Sequence, residues 1–139
     1  MPTVDELIKF VENCTGSDSI TADTDIFNDG TCGDDFHELM DSYAKTYSVD
    51  MTNYLWYFHA DEEGGWNSIG GAFFDPPYKK VNRIPITPTL LADFAEKGKW
   101  GIEYPKHDIP KRRYDILINQ VLVIGFLVCL IIMAIKKCG

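Results

Sequence analysis

Residues 24–51 read TDIFNDGTCGDDFHELMDSYAKTYSVDM, a turn-rich acidic loop that runs into an amphipathic helix. From Phe36 onward, Phe36, Leu39, Met40, Tyr43 and Tyr47 recur at steps of three and four, which places them on one helical face. That stripe is the expected core contact. Glu38, Asp41 and Lys45 fall on the opposite face. Asp34 and Asp35 occupy the first turn, where negative charge meets the positive end of the helix dipole. Thr31 stands three residues before Asp34, close to capping-box spacing, and Gly33 or Asp34 is an alternative cap.

Working outward toward the N-terminus, Thr3-Val4-Asp5-Glu6 forms a capping box ahead of Leu7, Ile8 and Val11, predicting a helix from about Val4 to Cys14 with Gly16 near its end. Between the two helices, Ile20, Ile26 and Phe27 are the large apolar groups of a polar connection and are expected to pin it to the core. After the central helix, Tyr47, Val49 and Met51 alternate with polar residues as a short extended crossing. Thr52 is then placed to cap a third helix over 53–61 that buries Leu55 and Phe58. Gly64-Gly65 and Gly70-Gly71 bracket a Gly- and aromatic-rich stretch, and Pro76-Pro77 excludes a regular helix through it. An ordered loop or short two-stranded feature is expected there. Whether Trp56, Trp66, Phe73, Phe74 and Tyr78 form core or an interaction surface stays open at this stage. Thr87, Pro88 and Gly98 punctuate a further helix carrying Leu90, Leu91, Phe94 and Ala95, with Trp100 and Ile102 folding back on it.

Residues 104–115 contain two prolines and the run Lys111-Arg112-Arg113 and read as a basic linker. Residues 116–135, ILINQVLVIGFLVCLIIMAI, hold no charge, and twenty residues of helix cross about 30 Å of hydrocarbon. They predict one transmembrane helix, flanked by Lys111, Arg112 and Arg113 before it and by Lys136 and Lys137 in the short tail 136–139. Asn119 and Gln120 are placed for the membrane interface or for a hydrogen bond to another membrane helix. Met1 to Cys14 is acidic and helical in period, unlike a signal peptide, so residues 1–103 are expected as a cytoplasmic domain on a single-pass membrane anchor.

Charge is unevenly distributed. Residues 1–63 hold 15 acids and two bases, whereas residues 64–115 hold six acids and nine bases. The acidic half disfavours nucleic acid, whose binding needs Lys and Arg to replace counterions, and favours a protein partner with a basic patch. Cys14, Cys32, Cys129 and Cys138 form no C-x-x-C pair and have no histidine at metal-ligand spacing, so no metal site is expected. Cys32 precedes a helix N-terminus, which favours a reactive thiolate, while the acids around it oppose one. No nucleophile, base and orienting group stand out as a catalytic set. An acid–base pair from Asp34 and Asp35 would require a cleft that separates their pKa values.

The central helix resembles the prosthetic-group site of acyl carrier proteins, whose Asp-Ser-Leu triplet precedes a Glu-Leu pair and a closing aromatic. Glu38-Leu39 stands in the Glu-Leu place, Tyr47 in the aromatic place, and Val49 and Met51 as the aliphatics. Gly33 replaces the serine that would carry phosphopantetheine, within Cys32-Gly33-Asp34. A closer resemblance is to bacterial acyl-carrier-like proteins of unknown function with Gly-Asp-Asp at this site and a second signature downstream. Gly33-Asp34-Asp35 and Pro85-Ile86-Thr87, Ala95 and Gly98-Lys99-Trp100 carry it, over about residues 3–102.

This resemblance implies a mainly α, small acyl-carrier-like bundle with no covalent cofactor. Asp34, Asp35, Glu38 and Asp41 are then the expected partner-binding residues of a non-enzymatic interaction module. The alternatives are an inhibitor or immunity-type membrane protein, and an atypical carrier using Thr31, Cys32 or Ser42 as acceptor.

Overall fold

The computed structural model describes residues 1–28, 33–62 and 68–138, without the side chains of Gly33 and Cys138. The architecture is mainly α: helices α1 (Val4–Thr15), α2 (Gly33–Tyr47), α3 (Ile69–Phe73), α4 (Pro88–Lys97) and α5 (Tyr114–Cys138), with no β-strand among the described residues. Thr31, Cys32, residues 29–30 and Trp66 with Gly64-Gly65 lie outside the described residues.

Each N-terminal helix is bounded by the chemistry its sequence supplies. Thr3 caps α1 reciprocally: its N–H donates to the Glu6 carboxylate at 3.0 Å and its hydroxyl accepts from the Glu6 N–H at 3.3 Å. Gly16 ends the helix in the left-handed region, φ 69°, a conformation that glycine adopts without a Cβ penalty. At the end of α2 the same backbone region is occupied by Ser48, φ 54°, while the Val49 N–H donates to the Ala44 carbonyl at 3.1 Å. Helix α4 starts at the Thr87 cap with Pro88 in the first helical position and stops at Gly98, φ 66°.

The core lies between α1, α2 and α4. Leu7 and Val11 from α1, Phe36, Leu39, Met40 and Tyr43 from α2, and Leu91, Ala92 and Phe94 from α4 are buried together. The Tyr43 hydroxyl donates to the Leu91 carbonyl at 2.6 Å and ties α2 to α4. Ile20 and Ile26 are buried as anchors of the 16–28 connection, and the Ile26 N–H donates to the Ile86 carbonyl at 3.0 Å. The crossing after α2 forms one isolated parallel bridge, Asp50 with Lys99, which sets Trp100 against Phe94 at a ring separation of 4.8 Å.

Three expectations are corrected. The helix expected over 53–61 is one 3-10 turn, Trp56–Phe58. Thr52 does not cap a helix, because its N–H donates back to the Asp50 carboxylate at 2.9 Å, and the Leu55 N–H donates to the Tyr104 hydroxyl at 3.2 Å. A run of aromatics has little intrinsic helix preference, and here tertiary partners take its backbone and rings. The stretch expected as a loop or two-stranded feature contains α3, capped by the Ser68 side chain accepting from the Gly71 N–H at 2.9 Å. Pro76 follows its end, so the prolines terminate a short helix instead of forbidding one. Residues 104–115 are more than a linker. Tyr104 enters the core network, Arg113 is ion-paired, and α5 begins at Tyr114, two residues before the apolar run.

Candidate functional site

The first half of α2 presents the carboxylates singled out by the sequence. Asp34, Asp35, Glu38 and Asp41 are all exposed, while Phe36, Leu39 and Met40 between them are buried. The helical period thus separates one chain segment into a packed stripe and an acidic outer face. Among the described residues, none of the four carboxylates is in an ion pair; the ion pairs there are Arg83–Asp25, Lys97–Asp93, Arg113–Glu62 and Arg113–Asp115. Their charge is directed to solvent. Gly33 is the first residue of α2.

Beside this face lies an open groove of about 240 Å³ lined by Cys14, Asp35, Glu38, Leu39 and Ser42. Leu39 supplies an apolar floor, two carboxylates give the rim negative charge, and Ser42 adds a hydroxyl. Such a groove suits a long cationic side chain, whose methylenes cover the leucine while its head meets the carboxylates. Cys14 was not assigned to this face from sequence. It reaches the groove because α1 ends alongside α2, a packing relation that neither helix's own period encodes. Partial burial raises the Cys14 thiol above its ordinary pKa, so it stays protonated at neutral pH.

A second polar cluster is buried and differently built. His59, 1% exposed, has Nδ1 2.8 Å from the Ile84 carbonyl and Nε2 2.8 Å from the Tyr104 hydroxyl. A carbonyl only accepts, so Nδ1 carries the proton and neutral Nε2 accepts from Tyr104. The Tyr104 oxygen in turn accepts from Trp100 Nε1–H at 2.8 Å and from the Leu55 N–H. The donors of His59, Tyr104, Trp100 and Leu55 all have acceptors when His59 is neutral. Burial accordingly lowers the His59 pKa to about 4. Tyr54 stacks on the imidazole with ring centroids 5.5 Å apart and planes within 5° of parallel. This is a joint between residues 54–59, 84 and 100–104.

The third feature is α5. It is 25 residues long, and its most apolar 18-residue window has mean hydropathy 2.8 with none of that window buried, which makes it long and apolar enough to cross a membrane. Lys111 and Arg112 before it and Lys136 and Lys137 at its end are exposed. Arg113 is not a free flanking charge: it forms a two-pronged pair with Glu62 at 2.8 and 2.7 Å and also meets Asp115 at 2.6 Å. Asn119 accepts from the Gly70 N–H at 2.8 Å, satisfying within the chain an amide expected at the interface or against another helix. The aromatics divide: Tyr78 is buried, Trp56 is half-buried against His37, and Phe73 and Phe74 are exposed.

Residues 4–103, spanning α1 to α4 and the Trp100–Tyr104 region up to Glu103, match a family model described as protein of unknown function (DUF1493). The chain belongs to the DUF1493 family. No curated protein and no solved structure matches it. The DUF1493 region includes the acidic face, its groove and His59, and ends before Tyr104 and the ion-paired entry to α5. Among the described residues no three His, Cys, Asp or Glu side chains converge as a metal-binding group.

Proposed function

We propose that this chain is a non-enzymatic, membrane-anchored interaction module with an acyl-carrier-like domain that has lost the phosphopantetheine serine. The observation that carries the reading is the row Asp34, Asp35, Glu38 and Asp41, exposed and free of ion pairs beside an acidic groove at the start of α2. Carboxylates held on a rigid helix offer a partner's Lys or Arg both long-range attraction and a fixed register. Gly33 supports a carrier-like shape used for docking without a covalent group. In this reading α5 anchors the chain in a bacterial inner membrane, with the N-terminal domain in the cytoplasm and the partner recruited there.

The test is a pull-down of the full-length protein at native expression level in mild detergent, comparing wild type with the Asp35→Ala/Glu38→Ala variant. A stoichiometric partner retained by wild type and lost from the folded variant at low salt supports docking through α2. Equal recovery in both samples overturns it. Ser42 keeps the carrier alternative specific, because its exposed hydroxyl lines the same groove. Intact mass of protein from its native host decides that alternative: a covalent adduct lost in Ser42→Ala supports a carrier, and the unmodified chain mass removes it.

A further inference from the structure

Helix α3 is too short to bury a face of its own, and its outer side chains are strongly exposed: Ile69 by 57%, Phe73 by 75% and the following Phe74 by 44%. Its inner side is fixed against the entry of α5. The Gly70 N–H donates to Asn119, and a Cβ built on Gly70 would lie 1.8 Å from the Asp115 carbonyl oxygen, so only glycine permits this approach. These two contacts bracket one helical turn. Arg113 adds a further tie by bridging Glu62 to Asp115.

The register of α5 gives α3 a depth. Residues 116–135 supply about 30 Å of apolar helix, the thickness of the hydrocarbon layer, which places Ile116 near its edge. Asp115 is then about 1.5 Å to the headgroup side of Ile116, and Asn119 about 4.5 Å to the hydrocarbon side. A helix touching both residues sits at the boundary itself. The chemistry agrees with that level. IGGAF carries no charge, the Asn119 oxygen receives a donor from α3, and the exposed Tyr114 ring packs 5.6 Å from Phe74 as interfacial aromatics do. Exposed Lys80 and Arg112, with Lys111 beside them in the chain, outnumber the Asp75 carboxylate and the one excess negative charge of the Arg113–Glu62–Asp115 group, so the rim is net positive and suits anionic headgroups.

We propose that α3 is an interfacial helix lying in the headgroup boundary of the leaflet that α5 enters, with Ile69, Phe73 and Phe74 in lipid and Lys80, Lys111 and Arg112 at the phosphates. The occupant of this apolar face is an anionic bilayer surface. The inference rests on α5 crossing the membrane and adds a second attachment that fixes the orientation of the domain against it.

Nitroxide labels test it in the full chain, with Cys14, Cys32, Cys129 and Cys138 replaced by Ser and the protein held in nanodiscs of phosphatidylcholine and phosphatidylglycerol. Labels go singly at Phe73→Cys, at Val128→Cys within the span, and at Glu96→Cys on exposed α4. Relaxation by oxygen, which partitions into lipid, is compared with relaxation by a water-soluble nickel chelate. The expected result is an oxygen-to-chelate ratio at position 73 several-fold above that at 96 and below that at 128, since a boundary label lies shallower than one in mid-span. Adding Gly70→Val, which drives a side chain into the Asp115 carbonyl, is expected to lower the ratio at 73 and leave 128 unchanged. Chelate access at 73 equal to that at 96, with 128 in lipid, overturns the interfacial helix and leaves the anchor standing. Shielding of 73 from both agents means that protein covers the patch and equally overturns it. Chelate access at 128 removes the anchor and this inference together.

Discussion

Lowering the pH should destabilise this domain through His59 before most other groups respond. The folded pKa is about 4, below the ordinary value of 6.5, because burial disfavours the charged imidazole by more than the hydrogen bond to the Ile84 carbonyl restores. Protonation would place a second N–H on Nε2, facing a Tyr104 oxygen that already accepts from Trp100 and Leu55. Between those two pKa values the unfolded chain binds the extra proton and the folded one does not. The stability contribution is therefore complete above pH 6.5 and lost progressively as pH falls toward 4. The full shift corresponds to about 3 kcal/mol, of which about 2 kcal/mol is lost by about pH 5. For a domain of this size that is a fall of roughly 10 °C in Tm. Thermal melts of the full chain in detergent, followed by circular dichroism from about pH 8 to about pH 5, read it directly. Carboxylates titrate toward the lower end of the same range, so His59→Gln is the reference. The glutamine variant starts less stable but should lack the histidine-linked slope. Identical slopes in the two proteins would refute the neutral buried joint.

Tyr104→Phe should destabilise by about 2–3 kcal/mol, because it strips a partner from Trp100 Nε1, the Leu55 N–H and His59 Nε2 at once. Its signature in the same melts is a loss larger than that of Tyr43→Phe, which removes one hydrogen bond, to Leu91, worth about 1 kcal/mol. Ser48→Gly should stabilise and Gly98→Ala should destabilise, each by about 1 kcal/mol, since both positions hold a left-handed backbone, φ 54° and 66°. Opposite shifts in denaturant midpoint check that pair. Asp35→Ala/Glu38→Ala should weaken partner binding about fivefold at low salt and flatten its salt dependence, with no loss of helix content, because both side chains are exposed. Titration of the isolated complex at two ionic strengths measures it.

The helices that form the core were legible because each carries its own boundary chemistry and period. Thr3 with Glu6, Thr87 with Pro88, Gly16 and Gly98 are local signals, and all four act in the structure as their types dictate. The acidic face was legible for the same reason: Asp34, Glu38 and Asp41 fall at helical spacing opposite Phe36, Met40 and Tyr43. What escaped depends on partners far away in the chain. Thr52 looks like a helix cap until Asp50 takes its N–H, and Tyr54 to Phe58 give up helical bonds for rings and a hydroxyl from residues 100–107. Helix α3 was hidden because its glycines and the prolines that follow it argue for a loop. Gly70 is placed there by the close approach of α5, some 49 residues later, which no local pattern announces.

Arg113 shows how such long-range pairing changes a functional reading. Counted from sequence, three cations precede the span against two after it, a slight bias toward an N-terminal cytoplasmic domain. In the structure Arg113 is enclosed by Glu62 and Asp115, so the group as a whole is net negative and contributes no free positive charge. The positive-inside count takes Lys and Arg and not net charge, so it stays at three against two. The same pairing does something a flanking charge would not. With the Gly70–Asn119 bond it joins the start of α5 to residues 62 and 70, so the helix does not hang from a free tether. A partner captured by the carboxylates of α2 would accordingly be held in a set orientation as well as near the membrane. Replacing Arg113 with Met, which frees the partly buried Glu62 and Asp115 carboxylates from their partner, should loosen that orientation while leaving α2 and its groove intact.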